Sequence, residues 1–354
     1  MAWEMWERLG YREIDPSVLS RVINGERIFS QRQLDVFCEV LGLKPAKKEE
    51  LTFVLSQDVL SRSGIEASDY LSVLDQLEYI NECKKYIFPL EDAGNPTLAY
   101  DLATYLSEKA AAIAQLAKKQ GSRIFALNLA ARLEWEKGYS QTLLLLPKTA
   151  VRLTSDYWKK VRDIAVELKD EEIFNLAIMG RGFAYSVDEN YNGAIRKVNR
   201  ALSFIGDAEH KMKAFKVLAV NYGYSGKKEA FKNLCETANR FMDSQEIDWS
   251  CLVEVLDGMG RGGALLDNPC SEKYLEMSHK IVENLEKSGS QLVFRKIQLI
   301  RSELEIQTRY QKLGRNINKS AIEKKGRIGI ELARNLSFER HVQKINNFMH
   351  ELLD

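Results

Sequence analysis

Residues 173–204 read IFNLAIMGRGFAYSVDENYNGAIRKVNRALSF, and 37 positions later residues 210–241 read HKMKAFKVLAVNYGYSGKKEAFKNLCETANRF. Gly182, Tyr185 and Ala201 of the first stretch return as Ala219, Tyr222 and Ala238 of the second, with Phe231 in the place of Ala194. Each stretch carries apolar residues three and four apart, a short polar break, and then the same periodicity again. That pattern predicts two amphipathic helices joined by a tight turn. Small residues at matched places let the two helices of a hairpin approach closely, and each Tyr is expected to pack at the bend.

The same reading extends outward from this pair. Amphipathic periodicity predicts helices near 45–62, 67–88, 96–119, 122–137, 140–153, 155–169, 171–186, 188–204 and 207–223. It continues at 226–243, 246–266, 271–287, 290–313, 317–335 and 337–352. The connections are short and carry Gly, Asp, Asn or Ser, as antiparallel helical hairpins require. No alternating Val/Ile/Thr/aromatic run bounded by turn residues is found, so the expected class is all-α. The chain has 354 residues, 45% of them hydrophobic and 29% charged, which excludes a disordered polypeptide. Its 6 prolines suit long helices.

The recurring small residue, aromatic and small residue resemble the tetratricopeptide repeat, although that family's period is usually about 34. The resemblance implies a right-handed α-superhelix of antiparallel hairpins over residues 45–316, with 317–354 as capping or dimerisation helices.

The first 44 residues have a different design. Asp15 is a suitable N-cap, Pro16 fits a first helical position, and Val18, Leu19, Val22 and Ile23 form an apolar stripe that Asn24-Gly25 terminates. Ser30 and Gln33 have the spacing of a capping box, opening a helix with Leu34, Phe37, Cys38 and Leu41 on one face and Gly42 at its end. The run from Ser17 to Arg27, followed by 30–41, resembles the recognition helix and next helix of phage-repressor (Xre/Cro) helix-turn-helix domains. That likeness implies Ser17, Ser20 and Arg21 facing base edges or phosphates, and Asn24 and Arg27 contacting the backbone of double-stranded DNA. Residues 1–44 hold seven acids against five arginines and Lys44, a net −1, so tight binding would need a dimer on an inverted repeat.

A helix-turn-helix unit followed by helical repeats is similar in architecture to the peptide-responsive regulators of Gram-positive bacteria and their phages, the RRNPP group that includes the arbitrium receptors. The resemblance implies a transcription regulator, as in quorum sensing. Its repeat domain binds a signalling peptide or protein segment and thereby shifts the geometry of a homodimer. Arg132, Asn175, Arg181 and Asn221 are the candidate polar anchors for such a peptide, since its backbone amides need side-chain partners once water leaves. The alternative is a scaffold or adaptor whose N-terminal unit no longer binds DNA.

Other chemistry is scarce. Cys38, Cys83, Cys235, Cys251 and Cys270 are scattered without C-x-x-C spacing, which favours reduced, buried thiols and a cytoplasmic location. His210, His279, His341 and His350 show no metal-ligand spacing, and no metal, cofactor or catalytic centre is expected. The run at 258–263, GMGRGG, lacks the Lys-Ser/Thr of a phosphate loop and reads better as a close helix crossing. Leu143 to Leu146 is too short to span a bilayer, so no membrane role is expected. Residues 308–335 carry eight Lys/Arg against Glu323 and Glu331, either a nucleic-acid face or an ordinary solvated helix surface.

Overall fold

A computed structural model of the chain describes residues 2–9, 16–24, 27–45, 47–48, 51–52, 54–55, 59, 73–245, 247–290, 292–336 and 338–353. Every regular element among them is an α-helix, so the all-α expectation holds. The N-terminal helices are α1 (Ala2–Leu9), α2 (Pro16–Ile23) and α3 (Gln31–Val40). There follow α4 (Val73–Lys84), α5 (Ile87–Asp92), α6 (Pro96–Leu116), α7 (Gln120–Leu144), α8 (Ala150–Leu153), α9 (Ser155–Leu168) and α10 (Glu171–Val187). The chain continues with α11 (Tyr191–Leu202), α12 (Ala208–Tyr224), α13 (Lys228–Ser244), α14 (Trp249–Leu265), α15 (Ser271–Lys287), α16 (Val293–Lys312), α17 (Lys319–Asn335) and α18 (Glu339–Leu353).

The polar breaks in the sequence are helix caps. Asp170 Oδ1 accepts from the Ile173 amide at 3.0 Å, Asn190 from Gly193 at 3.0 Å, Asp248 from Ser250 at 2.8 Å and Asn318 from Ala321 at 3.1 Å. Each satisfies an amide that the first helical turn leaves without a partner, at a worth of about 1 kcal/mol.

Two expected breaks are placed differently. The segments 122–137 and 140–153 are one long helix, α7, followed by the short α8. Gly138, which reads as a breaker, lies mid-helix, where a Cβ would come within 2.7 Å of the Trp158 ring. It is a packing glycine. Conversely, the helix expected at 67–88 turns at Lys85 and Tyr86 between α4 and α5. The helix expected at 45–62, together with Asp15 and Gly25, lies wholly or largely outside the described residues.

From α6 onward the helices form two rows. The inner row runs α7, α10, α12, α14, α16 and α18, each packed on the next, while α9, α11, α13, α15 and α17 fill the outer row between them. α12 and α14 cross with their backbones close together. A Cβ on Gly262 would sit 2.2 Å from the Ala219 carbonyl oxygen, and one on Gly258 2.9 Å from the Lys216 Cα. The glycine run at 258–263 therefore serves a close backbone approach. α16 also packs against α5, so an early and a late helix meet across the inner row. Gly182, Ala201, Ala219 and Ala238 all lie at helix contacts in one continuous core.

The N-terminal helices own a separate small core of Met5, Trp6, Val18, Leu19, Phe29, Leu34 and Cys38. The capping box is formed as expected: Ser30 Oγ accepts from the Gln33 amide, and Gln33 Oε1 accepts from the Ser30 amide. Gly42 closes α3 at φ +60°. Leu41, expected on the apolar face, is instead the C-cap residue and is 44% exposed. Cys270, expected to be buried with the other cysteines, is exposed just before α15.

Candidate functional site

The inner row lines a cleft that opens to solvent and holds about 110 Å³ of enclosed space. Its apolar lining comes from Leu143 of α7, Phe183 and Val187 of α10, and Val217 and Val220 of α12. The stacked pair Tyr191 and Tyr224, ring centroids 4.4 Å apart, adds an aromatic surface. Its basic lining comes from Lys213, Lys216, Arg261, Arg301, Arg340 and Lys344, with Gln298 and His341 among them. Four inner helices, α12, α14, α16 and α18, bring these charges together.

Toward α7 the buried charges are balanced. Lys213 Nζ lies 3.8 Å from Glu136 and 3.0 Å from Glu209, and sits 3.3 Å from the Phe88 ring centroid. Burial alone would lower the Lys213 pKa, but Glu136 and Glu209 hold it above the ordinary lysine value. Lys216 pairs with Glu254 at 3.0 Å, and Arg295 bridges Glu254 and Asp92. Burial alone would raise the Glu254 pKa, but Lys216 and Arg295 hold it well below the usual carboxylate range. Arg261 Nη2 meets Glu305 Oε2 at 2.8 Å, and the Tyr224 hydroxyl donates to the same carboxylate.

Toward α18 the balance fails. Arg301 is 6% exposed, yet neither it nor Arg340 has a carboxylate within ion-pair distance among the described residues. The Nε atoms of both and the Nδ1 of buried His341 lack hydrogen-bond partners. Lys344 has only Glu189, at 3.9 Å. Burial, then repulsion from Arg261, lowers Arg301 to about 10. Burial, then Arg301 and Arg261, does the same to Arg340. Burial, then Arg340, Arg301 and Arg261, brings Lys344 down to about 7. His341 is held well below its ordinary value by burial and the same cations, so it is neutral near pH 7.

The residues expected to face DNA lie together on the N-terminal unit. Val18 and Leu19 are buried beneath α2, while Ser20 and Arg21 are exposed and Ser17 is half-buried. Arg21 Nη2 donates to Ser17 Oγ at 3.3 Å, as their four-residue spacing requires. Asn24 and Arg27 are exposed beside them, and the Arg27 amide donates to the Arg21 carbonyl at 3.2 Å.

The four expected peptide anchors are not brought together, and none lines the cleft. Arg132 is half-buried between Asn128 and Glu172. Asn175 and Asn221 are buried, their amide nitrogens bound to the Glu171 carbonyl and to Ser186 and the Val217 carbonyl. Arg181 is exposed over the Tyr185 ring, 5.8 Å from its centroid. Asn175 is bound within its own helix and Asn221 ties α12 to Ser186 of α10, so both amide groups are engaged inside the fold.

The cleft cations escaped the sequence reading because they come from helices far apart in the chain. A local signal existed in Arg340-His341 and Lys344, one turn apart on α18, but such spacing is common on solvated helices. Among the described residues no helix is long and apolar enough to cross a membrane. A scan of protein-family models gives no match, and a search of curated proteins gives none either.

Proposed function

We propose that this chain is a DNA-binding transcription regulator whose helical body senses a ligand, in the manner of the peptide-responsive RRNPP regulators it resembles. The observation that carries this reading is the polar edge of α2. Ser20, Arg21, Asn24 and Arg27 are exposed on a unit whose apolar residues Val18 and Leu19 are buried, while Ile23, expected on the same stripe, is 73% exposed. Exposed polar side chains on a helix of repressor-like sequence are what major-groove reading uses. In this reading α4 to α16 belong to a tetratricopeptide-like right-handed superhelix and α17 and α18 cap it. A cytoplasmic homodimer places two reading units on an inverted repeat. Ligand that prefers one curvature of the superhelix shifts the spacing of those units.

The net −1 of residues 1–44 favours a second reading, a scaffold that docks a protein segment and no longer binds DNA. The test is selection of random duplexes on the intact protein, then a gel shift at rising salt. Retention of a preferred inverted repeat supports the regulator. No retention of any duplex at low salt overturns it in favour of the scaffold.

A further inference from the structure

We propose that the α16–α18 end of the cleft is an oxyanion site that takes the phosphoryl group of a small phosphorylated ligand. This inference stands whether or not the N-terminal unit reads DNA. Arg301 is 6% exposed, and its Nε has no partner; the Nε of Arg340 and the Nδ1 of His341 are likewise unsatisfied. A buried guanidinium with no carboxylate within ion-pair distance is expensive to maintain, so the wall that holds Arg301, with half-buried Arg340 and Lys344 beside it, is completed by an anion from outside.

The carboxylates nearest this wall do not supply it. Glu305 is engaged by Arg261 and Tyr224, Glu189 attracts Arg340 and Lys344 without contacting Arg340, and buried Asp257 attracts Arg301 from beyond ion-pair distance. Two guanidinium forks beside an ammonium group match a tetrahedral, doubly charged oxyanion better than a single carboxylate. The enclosed part of the cleft, about 110 Å³, has room for a phosphoryl group, and the remainder of a ligand would lie in its open side. Phe183, Val187 and Val220 also line the cleft and offer apolar contact for the remainder of the ligand, which we assign as a ring or short hydrocarbon group.

The test uses the full-length protein, with calorimetric titration and thermal melts at constant ionic strength. Inorganic phosphate, adenosine monophosphate and citrate are compared with chloride. Phosphate is expected to bind saturably and raise the melting temperature, and adenosine monophosphate to bind more tightly and compete with it. Arg301→Met should weaken both by about tenfold or more while raising the melting temperature of the ligand-free protein, because it removes an uncompensated charge. A merely structural arginine would lower that temperature. Arg340→Gln, at the more exposed edge, gives the same affinity readout should Arg301→Met fail to fold. Lys280→Gln, on the exposed face of α15, should change neither. The proposal is overturned if no phosphate compound binds above chloride, if citrate binds more tightly than phosphate and adenosine monophosphate, or if neither cleft variant weakens binding.

Discussion

Arg295 of α16 meets Asp92 at the end of α5 through Nε and Oδ1 at 2.7 Å, with both side chains buried. The same guanidinium donates to Glu254 of α14 and to Ser250 Oγ at 2.7 Å. One side chain therefore joins an early helix to two late ones across the inner row. Burial alone would raise the Asp92 and Glu254 pKa values, and Arg295 opposes that effect at both.

Arg295→Ala is expected to destabilise the protein by about 3–5 kcal/mol, since it leaves two buried carboxylates without their common partner. Urea unfolding at pH 7 checks this. A midpoint within error of the wild type would show that the tie between α5 and α16 is dispensable.

Gly262→Ala tests the crossing of α12 and α14. The added methyl would lie 2.2 Å from a backbone carbonyl oxygen, which cannot rotate away as a side chain can. The expected loss is on the order of 1–3 kcal/mol, by overpacking. Gly121→Ala, where a Cβ meets nothing within 4 Å, should instead melt at or slightly above the wild type. Equal melting of the two variants would contradict the packing role.

Glu91 supplies a pH dependence. Burial raises it from 4.5 to about 8, against the opposing pull of Lys213 and the Ser140 hydroxyl that donates to it. The folded state therefore keeps a proton that the unfolded chain releases above 4.5. Stability from this group is complete below that value and falls as pH rises toward about 8, at about 1.4 kcal/mol per unit for one proton. Glu91→Gln cannot ionise, so its stability relative to wild type should improve steadily from pH 5 to pH 8. Parallel stability curves over that range would rule the assignment out.

The DNA reading predicts two separable mutant effects. Arg21→Ala should cost about 1–3 kcal/mol on the preferred duplex and relax sequence preference, as loss of a base-directed arginine does. Arg27→Ala should weaken all duplexes alike and make the salt dependence shallower by about one unit. Fluorescence anisotropy at several salt concentrations distinguishes the two. Identical behaviour of both variants would mean that neither arginine reads bases.

Helix content, most helix ends and the small residues at crossings were legible in the sequence, because 3.6-residue periodicity, N-caps and Gly or Ala at matched places act locally. Asp170, Asn190 and Ser30 cap where their spacing says they should. Gly138 misled because the same residue type serves as a breaker or as a contact, and only the Trp158 ring packed against it decides which. Asn175 and Asn221 misled for a related reason. A polar residue on a helix has a face but no partner until the neighbouring helix is placed. The cleft depended wholly on tertiary structure. Arg261, Arg301 and Arg340 are unremarkable in sequence, each on its own helix. Packing α14, α16 and α18 together brought three guanidinium groups to one cleft and, among the described residues, gave only Arg261 a carboxylate within ion-pair distance.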